Sequence, residues 1–428
     1  MRIWLIQTGE IIPKSAEDRL LRTALLAKEL SSRSHEVTWW ASAFEHQRKK
    51  WIDADGSSVQ LAENLKIILL KGIGYKQNVS LKRFIDHLIV AQKFTKVANN
   101  YPKPNIIITS LPEHNLAYKV QKYAEKNSIP TFVDLRDYWP DFMLHFFRNR
   151  LLKKIVQLIL ARDFYRSRYV LKNANVLISM MNSMFYWGQK VGKRKPNSFD
   201  RVFHIGSPKQ SDQIKKEFSQ EFNTLLSNAT NKFNVLYVGT FTDVHDPSII
   251  VKAAKIINKN HHFKEKVNFI IAGNGILQKE VKRMAIGLSN VFFPGWVNKN
   301  EISALLKIAK IGFIPINSDE EFFPNKAFLY FSGGLPIFSS SKGEISQLID
   351  QHQLGYNVEL QKPEYIVKKI IHLMENKDLL MKMKDNLNKI FKEQFDSDII
   401  YKNYADLIEK YIAENNSHKS SKVLNIAN

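Results

Sequence analysis

The sequence predicts an α/β protein with two domains, each built on a parallel sheet covered by helices. Short runs rich in β-branched and apolar residues alternate with segments of helical spacing, which is typical of parallel βαβ units. This alternation lapses over 207–232, which is polar and rich in lysine, and then restarts. The chain has 428 residues, more than a single hydrophobic core usually organises.

The first half of the chain begins with a strand at Arg2–Gly9 and a helix at Ala16–Arg33, where apolar residues recur on one face. Further strands are predicted in this half at His35–Ala41, Leu65–Leu70, Asn105–Ser110, Thr131–Leu135 and Asn175–Met180. In the second half they are predicted at Phe233–Gly239, Val267–Ala272, Asn290–Phe293, Ile311–Ile316 and Leu335–Ser340.

These elements predict two doubly wound, Rossmann-like domains that face each other across a cleft. The expected organisation is an N-terminal domain over 1–206, a connector over 207–232, a C-terminal domain over 233–395, a helix over 396–415 and a flexible tail over 416–428. Ligands of such sheets bind outside the carboxyl ends of the strands. The loops that follow each strand are therefore the places to search for a site.

The composition narrows the class of protein. Hydrophobic residues make up 44% and charged residues 24% of the chain, which is ordinary for a folded protein. The chain has no cysteine, so disulfides and zinc–thiolate sites are excluded. The apolar run at the N-terminus is too short for a signal peptide, and no segment has the apolar length to span a bilayer. We expect a cytoplasmic location.

The net charge of +22 predicts an anionic partner. Phe142–Arg201 contains 13 Lys and Arg against 2 Asp and Glu, so half of the net charge lies in this segment. Within it, Phe142–Lys172 mixes apolar and basic residues in the pattern of an amphipathic helix. Such a helix suits the anionic inner face of a membrane, or it is an ordinary helix with a charged outer face. No recognition helix or aromatic–basic motif indicates nucleic acid.

A phosphate site is predicted where Pro324-Asn325-Lys326 begins a short helix. Asn325 is a residue that can cap this helix, which would place Lys326 in its first turn. A lysine is unfavourable there because the helix dipole is positive at its N-terminus, and a bound anion would reverse that sign. The alternative is a solvated lysine near a loop.

Two glycine turns of the second domain could also approach a ligand. Gly239-Thr240-Phe241 directly follows one predicted strand, and Gly273-Asn274-Gly275 follows the next strand along the chain. Glycine lets the backbone approach a ligand closely, and threonine offers a hydroxyl. Either turn could instead serve only to reverse the chain.

In the first domain, Arg136 and Asp137 follow an apolar strand, where they could contact a phosphate or a hydroxyl. They could equally form an internal pair that holds the loop. His114 follows another strand and could contact a substrate or be a hydrogen-bonded histidine at the surface. Asp53 and Asp55 lie in a polar turn rather than at a strand end, so we expect no metal there.

Several motifs, taken in order, resemble those of a known family. They are His35-Glu36-Val37-Thr38, Asp134-Leu135-Arg136-Asp137-Tyr138-Trp139-Pro140, Val238-Gly239-Thr240-Phe241, Gly273-Asn274-Gly275, Asn290-Val291-Phe292-Phe293-Pro294-Gly295, and Pro324-Asn325-Lys326 with Gly334-Leu335-Pro336. Their order and spacing resemble the family 4 glycosyltransferases of the GT-B fold, above all the bacterial group that builds capsule and O-antigen polysaccharides. The resemblance spans nearly the whole chain.

This resemblance implies a retaining transfer of a hexosyl or N-acetylhexosaminyl group from a UDP- or GDP-linked sugar to a lipid-linked or saccharide acceptor. It implies no cofactor and no metal, and an enzyme peripheral to the inner membrane face. The residues implied in catalysis are Arg136, Asp137, Glu321 and Lys326. Those implied in donor binding are Gly239, Thr240, Phe241, Gly273, Asn274, Gly275, Pro324 and Asn325. Gly9 and His114 would lie on the acceptor side.

The sequence departs from the family pattern at two points. The family has a second glutamate that binds the ribose, eight residues after the first, and this position falls at Leu329. Leucine cannot accept a hydrogen bond, so we expect another residue, for which Glu344 is a candidate, to replace it. The basic pair that usually follows the Gly-Thr turn is also not evident, and Asp243, His245 and Asp246 occupy that region.

Two other classes of function remain open from the sequence. One is a sugar-nucleotide epimerase of the same fold, which would release UDP without needing an acceptor. The other is a non-catalytic, basic protein that binds a membrane or nucleic acid, which the missing glutamate at Leu329 would allow. Steep salt dependence of DNA binding without nucleotide-sugar binding would favour this second class.

Overall fold

The computed structural model describes residues 1–13, 20–52, 58–77, 80–147, 149–210, 217–321 and 323–424. The chain divides into two compact units. The first contains Met1–His204 together with Tyr401–Asn428, and the second contains Ile205–Ile400. Each unit is a mainly parallel sheet with helices on it, so the predicted α/β class with two Rossmann-like domains is confirmed.

In the described part of the first unit, six strands lie close to the predicted positions, and four, at Phe44–Glu45, Lys50–Trp51, Ser58–Ala62 and Arg201–Val202, were not predicted. They are β1 (Arg2–Ile6), β2 (Glu36–Ser42), β3 (Phe44–Glu45), β4 (Lys50–Trp51), β5 (Ser58–Ala62), β6 (Leu65–Leu70), β7 (Ile106–Leu111), β8 (Thr131–Leu135), β9 (Val176–Ser179) and β10 (Arg201–Val202). Among the described residues, eight of them form one sheet in the order β10-β9-β8-β7-β1-β2-β6-β5. Only β5 runs antiparallel to its neighbour in that sheet, and β3 pairs with β4 as a separate hairpin.

Helices of the first unit follow its strands and return the chain to the next one. They are α1 (Arg22–Ser32), α2 (Leu81–Val97), α3 (His114–Lys126), α4 (Arg150–Ile159), α5 (Ala161–Asn173) and α6 (Asn182–Gly192). The helix predicted at Ala16–Arg33 begins at Arg22 in the described residues, and 14–19 lie outside them. Because α2 and α3 each follow a parallel strand, their N-termini lie at the carboxyl edge of the sheet.

The sheet of the first unit buries apolar side chains on both faces, because successive residues of a strand point in opposite directions. On one face, Trp4 of β1 packs against Phe94 of α2 and Tyr123 of α3, with ring centroids 6.3 and 5.6 Å away. On the other face, Phe132 of β8 contacts the ring of Tyr411 at 5.1 Å.

The second unit repeats this architecture. Its strands are β11 (Phe233–Val238), β12 (Val267–Ala272), β13 (Val291–Gly295), β14 (Ala309–Ile314), β15 (Ile337–Ser339) and β16 (Gly355–Asn357). In its described part they form a wholly parallel sheet in the order β13-β12-β11-β14-β15-β16. We did not predict β16, which is a short edge strand that begins with a glycine and has a weak strand signal.

Helices of the second unit are α7 (Gln220–Ala229), α8 (Ser248–Asn258), α9 (Gln278–Met284), α10 (Lys299–Ile308), α11 (Asn325–Ser332), α12 (Glu344–His352), α13 (Pro363–Glu375) and α14 (Lys377–Ile390). The reversal of strand order between β11 and β14 creates a topological switch point at the carboxyl edge of this sheet. Ligands of open α/β sheets bind at such points.

The basic segment Phe142–Lys172 is not one helix, as its pattern suggested. It forms a 3₁₀ helix at Asp141–Phe146, then α4, then α5, with a break at the buried Leu160. No residue of α4 is buried, whereas α5 buries Val170 and Leu171 in the core of the first unit. In the part of the chain that the structure describes, no helix is both long enough and apolar enough to cross a membrane.

The last helix, α15 (Ser397–Leu424), packs against the sheet of the first unit. Phe203 stacks on Tyr404 with 4.8 Å between ring centroids, and Arg33 forms ion pairs with Asp406 and Glu409. The helix continues past residue 415, where we expected it to end. Residues 416–424 contain neither Gly nor Pro, so no backbone signal stops the helix.

Tyr404 should therefore be a main anchor of α15, because its ring is fully buried. We expect Tyr404→Ala to lower the free energy of unfolding by about 3–5 kcal/mol, as for other large buried rings. Tyr404→Phe should cost little, because the buried Tyr404 hydroxyl has no hydrogen-bond partner among the described residues. Urea unfolding followed by circular dichroism measures both.

The matched control is Tyr186→Ala, since Tyr186 lies in the same unit and is 65% exposed. It should change the free energy of unfolding by less than about 1 kcal/mol. Equal losses for the Tyr404 and Tyr186 alanine variants would contradict the packing of α15 described above.

Candidate functional site

Two glycine turns meet at the carboxyl edge of the second sheet. Gly273, with φ +131°, packs so tightly that a Cβ on it would lie 1.8 Å from the Gly239 carbonyl oxygen. A Cβ on Gly275 would lie 2.2 Å from the Phe241 carbonyl oxygen. The Phe241 N–H donates to the Asn274 carbonyl at 3.0 Å. The structure thus brings these two predicted turns together, and their glycines are required by this close packing.

The surface that these turns present comes mainly from Thr240 and Asn274, which are both exposed. The Phe241 side chain is fully buried in the core, so it offers a ligand only its backbone. The Gly239 N–H already donates to the Ala272 carbonyl at 3.0 Å. Gly239 therefore contributes space at this edge rather than a free donor.

The space next to Gly239 is filled by the side chain of Lys326. A Cβ on Gly239 would lie 2.9 Å from the Lys326 Nζ atom. This Nζ also lies 4.1 Å from the centroid of the Tyr237 ring, within the range of a cation–π contact. Lysine 326 stands in the first turn of α11, as predicted, and it reaches back to the end of β11.

In the described part of the chain, no acidic side chain pairs with the buried Lys326 ammonium. Its Nζ atom has no hydrogen-bond partner among the described residues, and burial lowers the pKa of Lys326 to about 7. Removing a cation from water is unfavourable unless an anion or hydrogen bonds replace the solvent. An anion at Gly239 would supply what this ammonium lacks.

A second buried nitrogen accompanies it. The His245 Nδ1 atom is buried with no hydrogen-bond partner in the described part of the chain. Burial and the charge of Lys326 lower the pKa of His245 to about 4, so its imidazole is neutral at pH 7. The sequence pattern placed His245 in the loop after the Gly-Thr turn but gave no reason to single it out.

The start of α11 differs from the prediction in one respect. Pro324, with φ −70° and ψ 141°, occupies the N-cap position, and Asn325 is the first helical residue. The prediction that Asn325 caps the helix is therefore wrong. Because proline has its φ preset, it can stand before the first turn without a side-chain cap. Asn325 is exposed at this helix end.

The acidic candidates of the second unit converge on one turn. Glu321 forms an isolated bridge with Lys342, and its side chain lies so close to Gly343 that a Cβ there would be 2.6 Å from the Glu321 Cδ atom. Gly343, with φ +79°, directly precedes Glu344, the first residue of α12. Leu329 lies in the middle of α11 and is half-buried.

In the first unit, Arg136 belongs to a buried network of charges. It forms an ion pair with Glu10, donates to Asp134 Oδ2 at 3.0 Å, and donates to Thr23 Oγ1 at 2.9 Å. Arg22 donates to both oxygens of Asp134 at 2.8 Å. Burial alone would raise the pKa of Asp134, but the two guanidinium groups hold it below its usual value.

Asp137 lies apart from this network. Its Oδ1 atom accepts the Tyr138 N–H at 2.6 Å, and burial raises the pKa of its carboxyl group above the usual value. Of the two arrangements considered for Arg136 and Asp137, the structure shows Arg136 in internal ion pairs, with Asp134 and Glu10 as its acids. A carboxyl group with a raised pKa, such as that of Asp137, is typical of functional sites.

The two acceptor-side candidates occupy different environments. His114 is buried, its Nε2 lies 2.6 Å from Asp163 Oδ1, and its ring stacks on Trp139. Gly9 is exposed in the loop after β1, where its carbonyl accepts a hydrogen bond from Gln47 at 2.8 Å. His114 is thus a buried, hydrogen-bonded histidine rather than the surface histidine considered above.

In the described ranges, no three His, Asp or Glu side chains are grouped so that they could hold a metal ion. The Asp53 and Asp55 turn lies outside these ranges. Basic side chains also lie around Tyr75 at the carboxyl edge of the first sheet, which no sequence motif indicated. These side chains are far apart in the chain, so no local motif marks them.

Comparisons with known proteins concern the fold of the chain rather than the residues of the site. Residues 219–390 match the family model of the group 1 glycosyl transferases. The fold is that of the group 1 glycosyltransferases. An uncharacterized glycosyltransferase of Methanocaldococcus jannaschii is 24% identical over 162 residues, which cover 37% of this chain and 43% of that protein. The match to this curated relative thus spans less than half of its length.

Solved glycosyltransferases share the fold over nearly the whole chain. Sucrose-phosphate synthase of Thermosynechococcus elongatus has a TM-score of 0.69 at 13% identity, covering 96% of this chain and 99% of that one. Anabaena HepE in complex with UDP-glucose has a TM-score of 0.60 at 14% identity, covering 98% and 100%. WaaG, a glycosyltransferase of lipopolysaccharide biosynthesis, has a TM-score of 0.61 at 12% identity, covering 95% and 99%.

The tight packing of the two glycine turns leads to a test of this glycosyltransferase fold. We expect Gly273→Ala to lower the free energy of unfolding by more than about 3 kcal/mol, because backbone strain at φ +131° adds to the clash with Gly239. Gly287→Ala is the matched control, since φ is +81° and nothing lies within 4 Å of its Cβ position. It should cost only about 1–2 kcal/mol. Similar losses in urea unfolding would argue against the close contact.

Proposed function

We propose that the protein is a retaining glycosyltransferase of cell-surface polysaccharide biosynthesis. It would transfer a hexosyl or N-acetylhexosaminyl group from a UDP- or GDP-linked donor to a lipid-linked or oligosaccharide acceptor. The observation that carries the proposal is the buried Lys326 ammonium, which faces Gly239 without a partner among the described residues. A nucleoside diphosphate is an anion of the charge and size that such a site would accept.

The chemistry needs a group that stabilises the departing nucleoside diphosphate. When the bond from the anomeric carbon to the donor phosphate oxygen breaks, negative charge grows on the diphosphate. The Lys326 ammonium would meet this charge in a site shielded from water, where a fixed cation is most effective. The N-terminus of α11 adds the positive end of its dipole at the same place.

The remaining donor contacts follow from where the structure places the other residues. Thr240 and Asn274 are exposed beside Gly239, and would bind the phosphates or the base through hydroxyl, amide and backbone groups. Glu321 would accept hydrogen bonds from the donor sugar. Glu344 lies one residue after Gly343, against which Glu321 packs, so it is the residue we propose to replace the ribose-binding carboxylate at Leu329.

On the acceptor side, Asp137 is the group we propose to contact the attacking hydroxyl. A carboxyl group whose pKa is raised by burial accepts a proton or a hydrogen bond more readily than an ordinary aspartate. Arg136 would act through its ion pairs, by holding the loop that carries Asp137. His114 and Gly9 would shape the acceptor side, His114 through its buried pair with Asp163.

Related structures support the choice of donor. One relative in fold is described in complex with UDP-glucose and another is bound with UDP-2-fluoro glucose. WaaG, described above, acts in lipopolysaccharide biosynthesis, which supports a surface-polysaccharide pathway for the present protein. One observation distinguishes a transferase from the competing epimerase. A transferase requires an acceptor for productive release of UDP, whereas an epimerase releases UDP without one.

A membrane-bound acceptor fits the exposed helix α4. Its apolar side chains Leu151, Leu158 and Ile159 are 66%, 78% and 72% exposed, and Lys153 and Lys154 lie on the same short helix. Apolar residues flanked by lysines and arginines suit the boundary of an anionic bilayer. We therefore propose that α4 attaches the enzyme to the inner face of the membrane, where a lipid-linked acceptor would be found.

The donor site is tested first with nucleotides. In a thermal-shift screen with UDP, GDP, CMP and ADP, we expect stabilisation by UDP or GDP, because a ligand of the folded state shifts the unfolding equilibrium. Lys326→Met should weaken the binding of that nucleotide by about tenfold to a hundredfold, since it removes a charge-assisted contact. Lys368→Met is the control, because Lys368 is exposed on α13.

The pH dependence has a defined sign. The pKa of Lys326 is about 7 in the free protein, and a bound diphosphate would raise it. Binding should therefore take up protons above pH 7, and affinity should fall as pH rises through this range. Calorimetry in buffers of different ionisation enthalpy measures the uptake, which Lys326→Met should abolish. Unchanged nucleotide affinity in that variant, or no stabilisation by any nucleotide, would refute the donor site.

Membrane attachment is tested with vesicles. Wild-type protein should sediment with phosphatidylglycerol vesicles and much less with phosphatidylcholine vesicles. Leu151→Ser/Leu158→Ser/Ile159→Ser should lower the binding constant by about tenfold or more, because it removes the buried apolar area. The control Ile276→Ser/Ile286→Ser/Met381→Ser replaces side chains of the second unit that are 75%, 79% and 63% exposed. Equal binding by the two variants would contradict attachment through α4.

A further inference from the structure

A cavity of about 570 Å³ lies in the first unit, away from the residues considered so far. Its walls come from the end of α3, the segment between α3 and β8, the end of α5, the residue before β9 and the helix α15. All of these parts belong to the first unit. We call it the amino-edge cavity, and the side chains that define it are Gln121, Glu125, Tyr169, Asn173, Tyr411 and Asn415.

The amino-edge cavity lies where two neighbouring strands begin. Ser128 and Pro130 line it directly before β8, and Asn175 lines it directly before β9. Because β8 and β9 are parallel, their first residues lie at the same edge of the sheet. The loop that carries Asp137 follows β8 and so lies at the opposite, carboxyl edge. The cavity is therefore distinct from the acceptor side proposed above.

Hydrogen bonds hold the polar walls of the cavity in place. The Gln121 Oε1 atom accepts the Thr131 hydroxyl at 2.9 Å, and its Nε2 atom donates to the Asn173 carbonyl at 3.1 Å. The Tyr169 hydroxyl donates to Glu125 Oε2 at 2.6 Å. These bonds join α3, β8 and α5, so the cavity is formed before any ligand enters. A preformed site binds with a smaller loss of side-chain entropy.

The wall on the side of α15 is an aromatic ring. The Tyr411 ring contacts Phe132 and Phe199 nearly perpendicularly, with centroids 5.1 and 5.0 Å away. These contacts fix the ring, while its hydroxyl makes no hydrogen bond among the described residues. A tyrosine in such a wall offers a ligand both an apolar face and a polar group.

Other polar groups of the lining are uncommitted as well. The Ser128 hydroxyl and the Asn415 side-chain amide form no hydrogen bond within the described part of the chain. Hydroxyl and amide groups can both donate and accept hydrogen bonds. Together with Tyr411 they would suit a ligand that carries many hydroxyl groups.

The charge of the lining argues against an anionic ligand. The protein carries a net charge of +22, yet neither Lys nor Arg is among the described residues that line the cavity. The charged group in the lining is Glu125, which pairs with Lys122 at 3.3 Å and would repel an anion. The apolar part of the lining is small and comes from Ala124, Ile129 and Pro130. A lipid tail would therefore find little matching surface.

We infer that the amino-edge cavity binds a neutral oligosaccharide. The hydroxyl groups of a sugar match amides and hydroxyls that donate and accept, and the C–H face of a sugar ring can lie against tyrosine. The volume is within the range of about 300–1,000 Å³ that is usual for small-ligand sites. The inference goes beyond the proposed function and does not depend on it, because a saccharide would bind here whether or not the protein transfers one.

The test measures saccharide binding with a variant that keeps the walls of the cavity. Maltotriose, cellotriose and triacetylchitotriose are titrated in saturation-transfer difference NMR, and we expect at least one to bind. Tyr411→Phe/Asn415→Leu should weaken that trisaccharide by about tenfold or more, because two hydrogen-bonding groups are lost. Neither group has a hydrogen-bond partner among the described residues, so the fold should persist, which circular dichroism checks.

The matched control is Tyr186→Phe/Asn300→Leu, which makes the same two chemical changes at exposed positions on α6 and α10. It should leave trisaccharide binding unchanged. The single variants Tyr411→Phe and Asn415→Leu provide the same comparison if the double variant does not fold.

A charged probe tests the class of ligand. Trigalacturonate has the size of a trisaccharide but carries three carboxylates. It should bind more weakly than the best neutral trisaccharide, because Glu125 is the charged group of the lining. Tighter binding of trigalacturonate would overturn the assignment to a neutral saccharide.

The outcomes are separable from those of the donor site. Weaker trisaccharide binding in the cavity variant, with unchanged stabilisation by UDP or GDP, supports the inference. The same loss in a protein that no nucleotide stabilises supports the saccharide site while refuting the proposed function. Equal binding by the cavity and control variants, or no binding of any of the three neutral trisaccharides, overturns the inference.

Discussion

The buried Lys326 ammonium, which has no hydrogen-bond partner among the described residues, is the constraint on which the second unit depends. The helix α11 is only eight residues long, so the packing of its other residues must keep the Lys326 side chain out of water. Tyr330 does this by hydrogen bonding, since its hydroxyl accepts the Val238 N–H at 3.0 Å and so ties α11 to β11. Phe328 stacks on Phe323 and Phe331 stacks on Phe395, each with 4.7 Å between centroids. A short helix that is firmly packed can thus keep a charged side chain buried, whereas a flexible loop would let that side chain move into water.

The buried charges of the first unit have two kinds of surroundings. Arg22 and Arg136 share Asp134 and Glu10, so each guanidinium group has a carboxylate partner and the network is largely satisfied. Such a network fixes the loops after β1 and β8 relative to each other. Around Tyr75, by contrast, Lys49 and Arg83 lie within cation–π distance of an aromatic ring. Such contacts stabilise a cation that is partly removed from water.

Much of the fold could be predicted because parallel strands buried on both faces leave clear apolar runs, and β6, β8 and β12 have the predicted bounds. The position of Lys326 at the start of α11 was also visible, since helix and glycine signals lie close together in the chain. Its proximity to Gly239 and Tyr237 was not, because that contact joins segments about ninety residues apart through packing. The basic side chains around Tyr75 were missed for the same reason. The different burial of α4 and α5 depends on which neighbours cover them.

The path of the chain has a consequence for how the molecule is made. The sheet of the first unit has one face covered partly by α15, whose residues are synthesised after most of the second unit. Phe132 and Phe203 must therefore remain without these aromatic partners while the whole of the second unit emerges from the ribosome. Domains fold as they are synthesised, and uncovered apolar surface is the usual target of chaperones. The second unit can complete its core before the first unit does, although the first unit contains the earlier part of the chain.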